Sequence, residues 1–258
     1  MAQTTYLITG ANKGIGRAMV QQLLQRPNTT VVAGVRQPDD PTSSSLYSLP
    51  AAEHSRIVVH QLGNPDDFAA LPARLAAPPI NIDRLDVVVA NAGNSSGLNK
   101  SLLETEPEDV NEDCNVNAAG PLRLFKATWP LMEVSLKQAQ TAALPTRFIL
   151  ISSTMGSIGI QDAQSMRVGI SYGMSKAAAN WFAKKASIDF KAQGLVVGVL
   201  HPGWVQTFMG QSLADALDVK EPPMTPEESA RQCLGQIDRW TMDKSGKFLN
   251  YKGEETAW

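Results

Sequence analysis

Short apolar runs rich in β-branched residues alternate with helical patterns along the whole chain. They predict strands at Thr5–Thr9, Thr30–Val35, Ile57–Leu62, Asp86–Ala90, Arg147–Ser152, Val196–Leu200 and Lys247–Asn250. Between the first two, Ile15, Ala18, Met19, Val20, Leu23 and Leu24 mark one apolar helical face. A longer helix is predicted to start near Pro107 and run into the 130s, carrying Leu122, Leu124, Phe125, Trp129 and Met132. Another covers about Ser171–Gln193. Strands separated by helices imply parallel βαβ units, and their nearly continuous apolar character fits strands covered on both faces. The pattern predicts one doubly wound α/β domain over residues 1–258, a parallel sheet of about seven strands with helices on both faces. The Pro/Ser/Asp-rich stretch Gln37–Ser55 reads as a loop with one helical turn, and Gln206–Pro226 as a long irregular segment, the expected substrate lid.

Bulk properties narrow the function classes. A net charge of −2 gives no reason to expect nucleic acid or an anionic membrane as partner. Cys114 and Cys233 have neither metal-ligand spacing nor a disulfide framework, which suits a reducing compartment. The opening MAQTTYLITG enters a strand directly, without the cationic and apolar regions of a signal peptide. No segment approaches the roughly 18 consecutive apolar residues that span a bilayer. The expectation is a cytoplasmic protein with a small-molecule partner.

After the first strand comes Thr9-Gly10-Ala11-Asn12-Lys13-Gly14-Ile15-Gly16, running straight into the first helix. Glycines permit a tight turn and close backbone approach, and a helix N-terminus offers free N–H groups to a pyrophosphate. The spacing is GxxxGxG, not the Walker A pattern GxxxxGK[ST]. A glycine-rich strand-to-helix turn also occurs without a ligand, but its place in the first βα unit favours a dinucleotide and a Rossmann-type sheet. At the second strand tip an acid would bind the ribose 2′-hydroxyl of NAD, whereas a base accommodates the 2′-phosphate of NADP. This chain has Gly34-Val35-Arg36 there, with Lys13 able to point the same way, so NADP(H) is the expected cofactor.

Tyr172 and Lys176 lie four residues apart in YGMSK, and i, i+4 side chains share a helix face. An ammonium beside a phenol favours phenolate, which would bring a group that titrates near 10 into use at neutral pH. Alone, such a pair also describes a snorkelling surface pair. Ser153 lies at the carboxyl end of a predicted strand, where open α/β sheets place ligands and a hydroxyl can polarise a carbonyl. Asn111, Asn115 and Asn117 are poor helix formers and also read as a loop or helix-start cluster. Asn91-Ala92-Gly93 and Pro202-Gly203 read equally as ordinary turns after strands.

Six stretches, in order, resemble the short-chain dehydrogenase/reductases over nearly the whole chain: TGANKGIG (9–16), ANAG (90–93), VNAAG (116–120), ISS (151–153), YGMSK (172–176) and HPGWVQT (201–207). Within that family the chain is similar to the carbonyl-reductase branch, which includes fungal norsolorinic acid ketoreductases. The resemblance implies that Tyr172 is the acid/base and that Lys176 lowers its pKa and holds the nicotinamide ribose. It implies that Ser153, with Ser152 as fallback, hydrogen-bonds the substrate carbonyl. Asn117 would kink its helix and hold a water, and its neighbour Asn115 lacks the glycine three residues on that Asn117 has in Gly120. Cofactor contacts would come from Gly10, Asn12, Lys13, Gly14, Ile15 and Arg36, from Asn91, Ala92 and Gly93 at the adenine ribose, and from Tyr172 and Lys176 themselves. Pro202, Gly203, Val205 and Thr207 would face the nicotinamide carboxamide. Relatives pair through the helices after the fourth and fifth strands, implying a homodimer or homotetramer. The implied activity is NADPH-dependent reduction of a fairly large apolar or aromatic ketone, such as a polyketide.

Some positions depart from the family. The third strand ends Leu62-Gly63-Asn64, where relatives carry an acid at the adenine, so Asn64 or backbone must replace it. Nineteen residues separate Ser153 from Tyr172, a lengthened stretch expected to bring Asp162 or Met166 toward the substrate. Phe208, Trp204, Ile160 and Met209 are candidates for an apolar wall, or simply for core packing. Gly169-Ile170-Ser171-Tyr172-Gly173 matches the GxSxG nucleophile elbow, but lacks the preceding strand that motif needs, and the only later histidine is His201. His54, His60 and His201 read as structural. A cyclase or isomerase without net redox, and a non-catalytic NADP(H)-binding regulator, are the alternatives on the same fold.

Overall fold

The computed structural model describes residues 3–139, 145–164 and 167–258. Its strands are β1 (Thr4–Thr9), β2 (Thr29–Val35), β3 (Arg56–Gln61), β4 (Val87–Ala90), β5 (Arg147–Ile151), β6 (Val196–His201) and β7 (Phe248–Asn250). They form one parallel sheet in the order β3-β2-β1-β4-β5-β6-β7, the Rossmann-type doubly wound arrangement that was expected. Each predicted strand lies within one or two residues of its observed range.

Alternation along the strands builds a core on each face. Ile8, Val31, Val89, Ile149 and Val196 face one layer, where α1 (Gly14–Leu24) and α9 (Pro226–Asp238) pack. Leu7, Val32, Val88, Phe148 and Val197 face the other, covered by α3 (Pro65–Ala76), α5 (Ala119–Ala139) and α7 (Ile170–Asp189). Strands buried on both faces need apolar residues at every position, which is why they read as unbroken runs. Order reverses between β1 and β4, so the crevice beyond their carboxyl ends is where such a sheet takes ligands.

The single long helix expected from Pro107 is two helices, α4 (Pro107–Asn117) and α5, separated at Ala118. Pro121 supplies the reason. It has no N–H for the Asn117 carbonyl four residues back, and its ring crowds that carbonyl. The loop at 37–55 contains a short helix α2 (Pro41–Ser44) and a 3-10 turn at Ser45–Ser48, more structure than one turn. The lengthened 154–171 stretch holds a 3-10 turn at Thr154–Gly156 and a short helix α6 (Gln161–Gln164). Asp162 is exposed on α6, and Met166 lies outside the described residues. The segment 206–226 is not irregular throughout, because α8 (Phe208–Ala216) occupies its first half with Thr207 as its cap. No described helix is long and apolar enough to cross a membrane.

Candidate active site

Helix α7 buries Tyr172, Lys176, Ala179, Ala183 and Ala186, a stripe whose small residues admit close neighbours. The closest is the 3-10 turn that follows β5. A Cβ at Gly156 would fall 2.6 Å from the Lys176 Cβ and 2.7 Å from its carbonyl carbon, and one at Gly173 2.9 Å from the Met155 oxygen. Two glycines thus let turn and helix meet backbone to backbone, and this seats Ser153 beside Tyr172. Ser153 is extended and caps the turn by accepting from Met155 N at 3.2 Å, and its side chain lies near enough to Tyr172 to pull the phenol's pKa down. Ser152, the fallback, is committed elsewhere: its hydroxyl meets Asn180 Oδ1 at 2.5 Å.

Lys176 donates to the Ile151 carbonyl at 3.1 Å and lies 5.5 Å from the centre of the Tyr172 ring. Burial pushes its ammonium down to about 8, opposed by the charge of Asp113. For Tyr172 the expectation of a depressed pKa is not met. Burial dominates and raises it, Ser153 pulls it down, and Asp113 raises it further. The i, i+4 spacing put the cation over the ring face, not against the hydroxyl, and the spacing alone carried no information about desolvation.

Asn117, fully buried at the end of α4, makes three side-chain hydrogen bonds in a bracket. Its Oδ1 accepts from Asn94 N (2.8 Å), and its Nδ2 donates to Asn94 O and Ser175 Oγ (2.8 Å each). A Cβ at Gly93 would meet Asn117 Oδ1 at 3.3 Å and Lys176 Nζ at 3.6 Å, so Gly93 keeps the space between them open. Asn115 instead binds Arg123 on the surface side.

The glycine turn sits across the crevice. Gly10 and Gly14 have positive φ (64° and 52°), and a Cβ at Gly16 would strike the Gly10 oxygen at 2.3 Å. Gly14 opens α1, and Ile15 packs on the core. Asn91 and Ala92 donate their backbone N–H groups to Thr9 Oγ1, and Asn91 Nδ2 reaches Thr9 O at 2.8 Å, locking the ends of β1 and β4 together. Thr207 caps α8 through Gly210 N, and its methyl lies 3.1 Å from where a Gly14 Cβ would be. Gly203 is left-handed (φ 89°), Pro202 O accepts from Ser229, and Val205 is buried with its carbonyl accepting from Thr207 N. A turn this tight, opening onto a helix N-terminus, fits a dinucleotide pyrophosphate.

Arg36 and Lys13 are exposed, and Arg36 lines a cavity of about 340 Å³ with Gln37, Pro38, Asp39, Asp40 and Gln61. Asp39 and Asp40 were absent from the sequence argument. Asp40 accepts from Thr42 N and Oγ1, and Thr42 Oγ1 accepts from Asn12 Nδ2 at 2.8 Å, so Asn12 ties the glycine turn to this wall. Asn64 caps α3, its Oδ1 accepting from Asp66 N and Asp67 N, so of its side chain only Nδ2 is uncommitted there.

On the substrate side Tyr172 packs with Leu98, Met155, Met209 and Leu213. Trp204 donates to Gly210 O and Ile160 is half-buried, but Phe208 is 87% exposed and forms no part of a wall. Ser171, the centre of the GxSxG match, is fully buried with its hydroxyl on Asp113.

His201 Nδ1 accepts from Thr154 N at 3.4 Å, next to Ser153. Burial holds this imidazole down to about 4, against 6.5 when free. A pKa depressed by folding means that the unfolded chain binds the proton first. Stability is therefore present above pH 6.5 and is lost as pH falls toward 4, by about 2 kcal/mol between pH 7 and 5. His201→Gln should reduce that loss in urea titrations at the two pH values. An unchanged pH 5 deficit would exclude His201 as its source.

An open α/β sheet with a tight glycine turn at its switch point is of the dinucleotide-binding class. Residues 4–218 match the family described as short chain dehydrogenase. The chain is 38% identical over 261 residues to the short chain dehydrogenase gsfK of Penicillium aethiopicum, covering 98% of this chain and 99% of that one. It is 35% identical over 262 residues to a norsolorinic acid ketoreductase of Dothistroma septosporum, covering 99% and 93%. Among solved structures, an NADPH-bound carbonyl reductase from chicken fatty liver aligns with a TM-score of 0.84 at 29% identity, over 100% of both chains. The chain belongs to the short-chain dehydrogenase family, and it is an oxidoreductase.

Proposed function

We propose that this protein is an NADPH-dependent ketoreductase acting on a fairly large apolar or aromatic ketone, possible substrates including polyketides. The observation that carries the reading is the buried Tyr172 and Lys176 with the half-buried Ser153 beside them, between the glycine turn and an apolar patch of Leu98, Met155, Met209 and Leu213. Gly10–Ile15, Asn91–Gly93 and Pro202–Thr207 would hold the cofactor, Arg36 and Lys13 its 2′-phosphate, and bound NADPH supplies a hydride to the carbonyl carbon. Tyr172 gives its hydroxyl proton to the carbonyl oxygen, leaving a phenolate that Lys176 stabilises. Ser153 donates a hydrogen bond to the same oxygen, and Asn117 keeps the Lys176 surroundings ordered. Residues 206–226 act as the lid. Two free cysteines suit a cytoplasmic location. Exposed Met174, Trp181 and Ile188 lie on one side of α7, and support homo-oligomerisation through that helix.

The test is a ketone panel, aromatic polyketides beside small aliphatic ketones, with NADPH oxidation followed by absorbance. Turnover of the larger ketones is expected, and NADPH consumption with none of the panel would overturn the reading. Arg36→Asp should shift the NADPH/NADH preference in kcat/KM toward NADH by about tenfold or more, since charge-assisted hydrogen bonds carry about 1.5–3 kcal/mol. An unchanged ratio would remove Arg36 from cofactor choice.

A further inference from the structure

Helix α4 buries two side chains, Asp113 and Asn117, and both are polar. Asn117 belongs to the bracket already described; Asp113 has no part in the proposed chemistry. Its carboxylate is 0% exposed and accepts two hydrogen bonds, from Ser96 N to Oδ1 and from the Ser171 hydroxyl to Oδ2, each 2.8 Å. Ser171 immediately precedes Tyr172. Ser96 stands on the loop that carries Leu98 against the Tyr172 ring. A Cβ at Gly97 would meet Ser171 Oγ at 3.2 Å, so the loop lies directly on the first turn of α7. One carboxylate therefore joins three segments, α4, the 94–98 loop and the start of α7, around the phenol.

Both donors are neutral, and no described cation forms an ion pair with this buried carboxylate. Lys100, on the same loop, is committed to Asp109 at 2.6 Å. The other groups around Asp113 are Glu112, bound to Asn94 Nδ2, Cys114, and, across the α4–α7 contact, Tyr172 and the buried Lys176. We infer that Asp113 is a positioning residue for the Tyr172–Lys176 pair, its carboxylate fixing the first turn of α7 while its charge sustains the ammonium of Lys176 from the neighbouring helix. The inference rests on the ketoreductase reading for its kinetic consequence, though not for its electrostatic one.

The sign follows from the charge. Asp113 favours the protonated forms of both Lys176 and Tyr172. Asp113→Asn removes the charge and keeps the geometry, because Nδ2 can donate to a Ser171 hydroxyl that turns to accept. Phenolate formation at Tyr172, taken as the difference in tyrosinate absorbance between each protein and its Tyr172→Phe partner, should move to lower pH by about half a pH unit or more. The limb of kcat/KM assigned to Tyr172 should move the same way, the falling limb in reduction and the rising limb in alcohol oxidation. Ser171→Ala keeps the charge and breaks the tie, so it should lower kcat severalfold and leave the titration in place. An Asp113→Asn titration coincident with that of the wild type would overturn the inference. Should Asn at 113 fail to fold, Asp113→Ser removes the same charge and goes through the same titration, with the same two outcomes. The absorbance titration needs no turnover, so failure of the ketone panel and failure of this inference are separate results.

Discussion

Tyr172→Phe is expected to lower ketone turnover by about a thousandfold or more, within the range of a lost general acid, while NADPH affinity stays within about twofold. The ring occupies a pocket of Leu98 and Met155 that Phe fills equally well. Its hydroxyl lies near Ser153, which keeps its own bond from Met155 N. The substitution therefore removes a proton and little else, and the melting temperature should move by only a few degrees. Turnover measured with saturating NADPH, beside fluorescence titration of the cofactor, separates the two effects. Wild-type turnover in the variant would exclude Tyr172 as the acid. A matching loss of NADPH binding would place the residue in cofactor binding instead.

The raised pKa of Tyr172 bears on the cost of proton transfer. A phenol that resists ionisation keeps its proton at neutral pH, but releasing that proton to a ketone oxygen costs more than it would from a free phenol. Lys176, pushed down to about 8 but still largely charged at pH 7, offsets the phenolate formed in that step. Burial thus opposes phenolate formation at Tyr172, an influence opposite to the one read from helical spacing.

That contrast marks what was legible in the sequence. Strands were legible because all but the half-buried edge strand β3 are covered on both faces, so their boundaries coincide with changes in hydropathy. Tyr172 and Lys176 were singled out from a short spacing, Ser153 from its strand end and Asn117 by resemblance to the family, and the fold brings all four to one crevice. The break at Ala118 was missed because apolar helical spacing continues across it, though Pro121 stood there to be read. Asp113 was missed for a deeper reason. Within DVNEDCNVN it is one polar residue among many, and its burial exists only once α4 lies on α7. Its i, i+4 relation to Asn117 was the one available signal. Asp39 and Asp40 likewise enter the Arg36 cavity only because the 37–45 segment folds back to Asn12 through Thr42.

Gly16→Ala should be the most damaging conservative change in the cofactor half. The added Cβ would lie 2.3 Å from the Gly10 oxygen and 2.7 Å from Asn91 Nδ2, distances no methyl tolerates. Neither neighbour can withdraw alone. Gly10 already sits at φ 64° in the tight turn, and Asn91 Nδ2 is bound to Thr9 O. Relief must come from lifting α1 off the turn, which disorders the backbone N–H groups available to a pyrophosphate. Overpacking of this kind costs about 1–3 kcal/mol, and the NADPH Kd should rise by about tenfold or more. Gly120→Ala is the control: its Cβ would have only Asn115 O at 3.9 Å, and in a helix it should be neutral or stabilising by up to about 1 kcal/mol. Thermal denaturation and NADPH titration of the two variants test the assignment together. If Gly16→Ala loses stability yet binds NADPH as the wild type does, the turn is a packing device and the pyrophosphate lies elsewhere. If it loses neither, α1 is able to move where the close approach of Gly16 to Gly10 says it cannot.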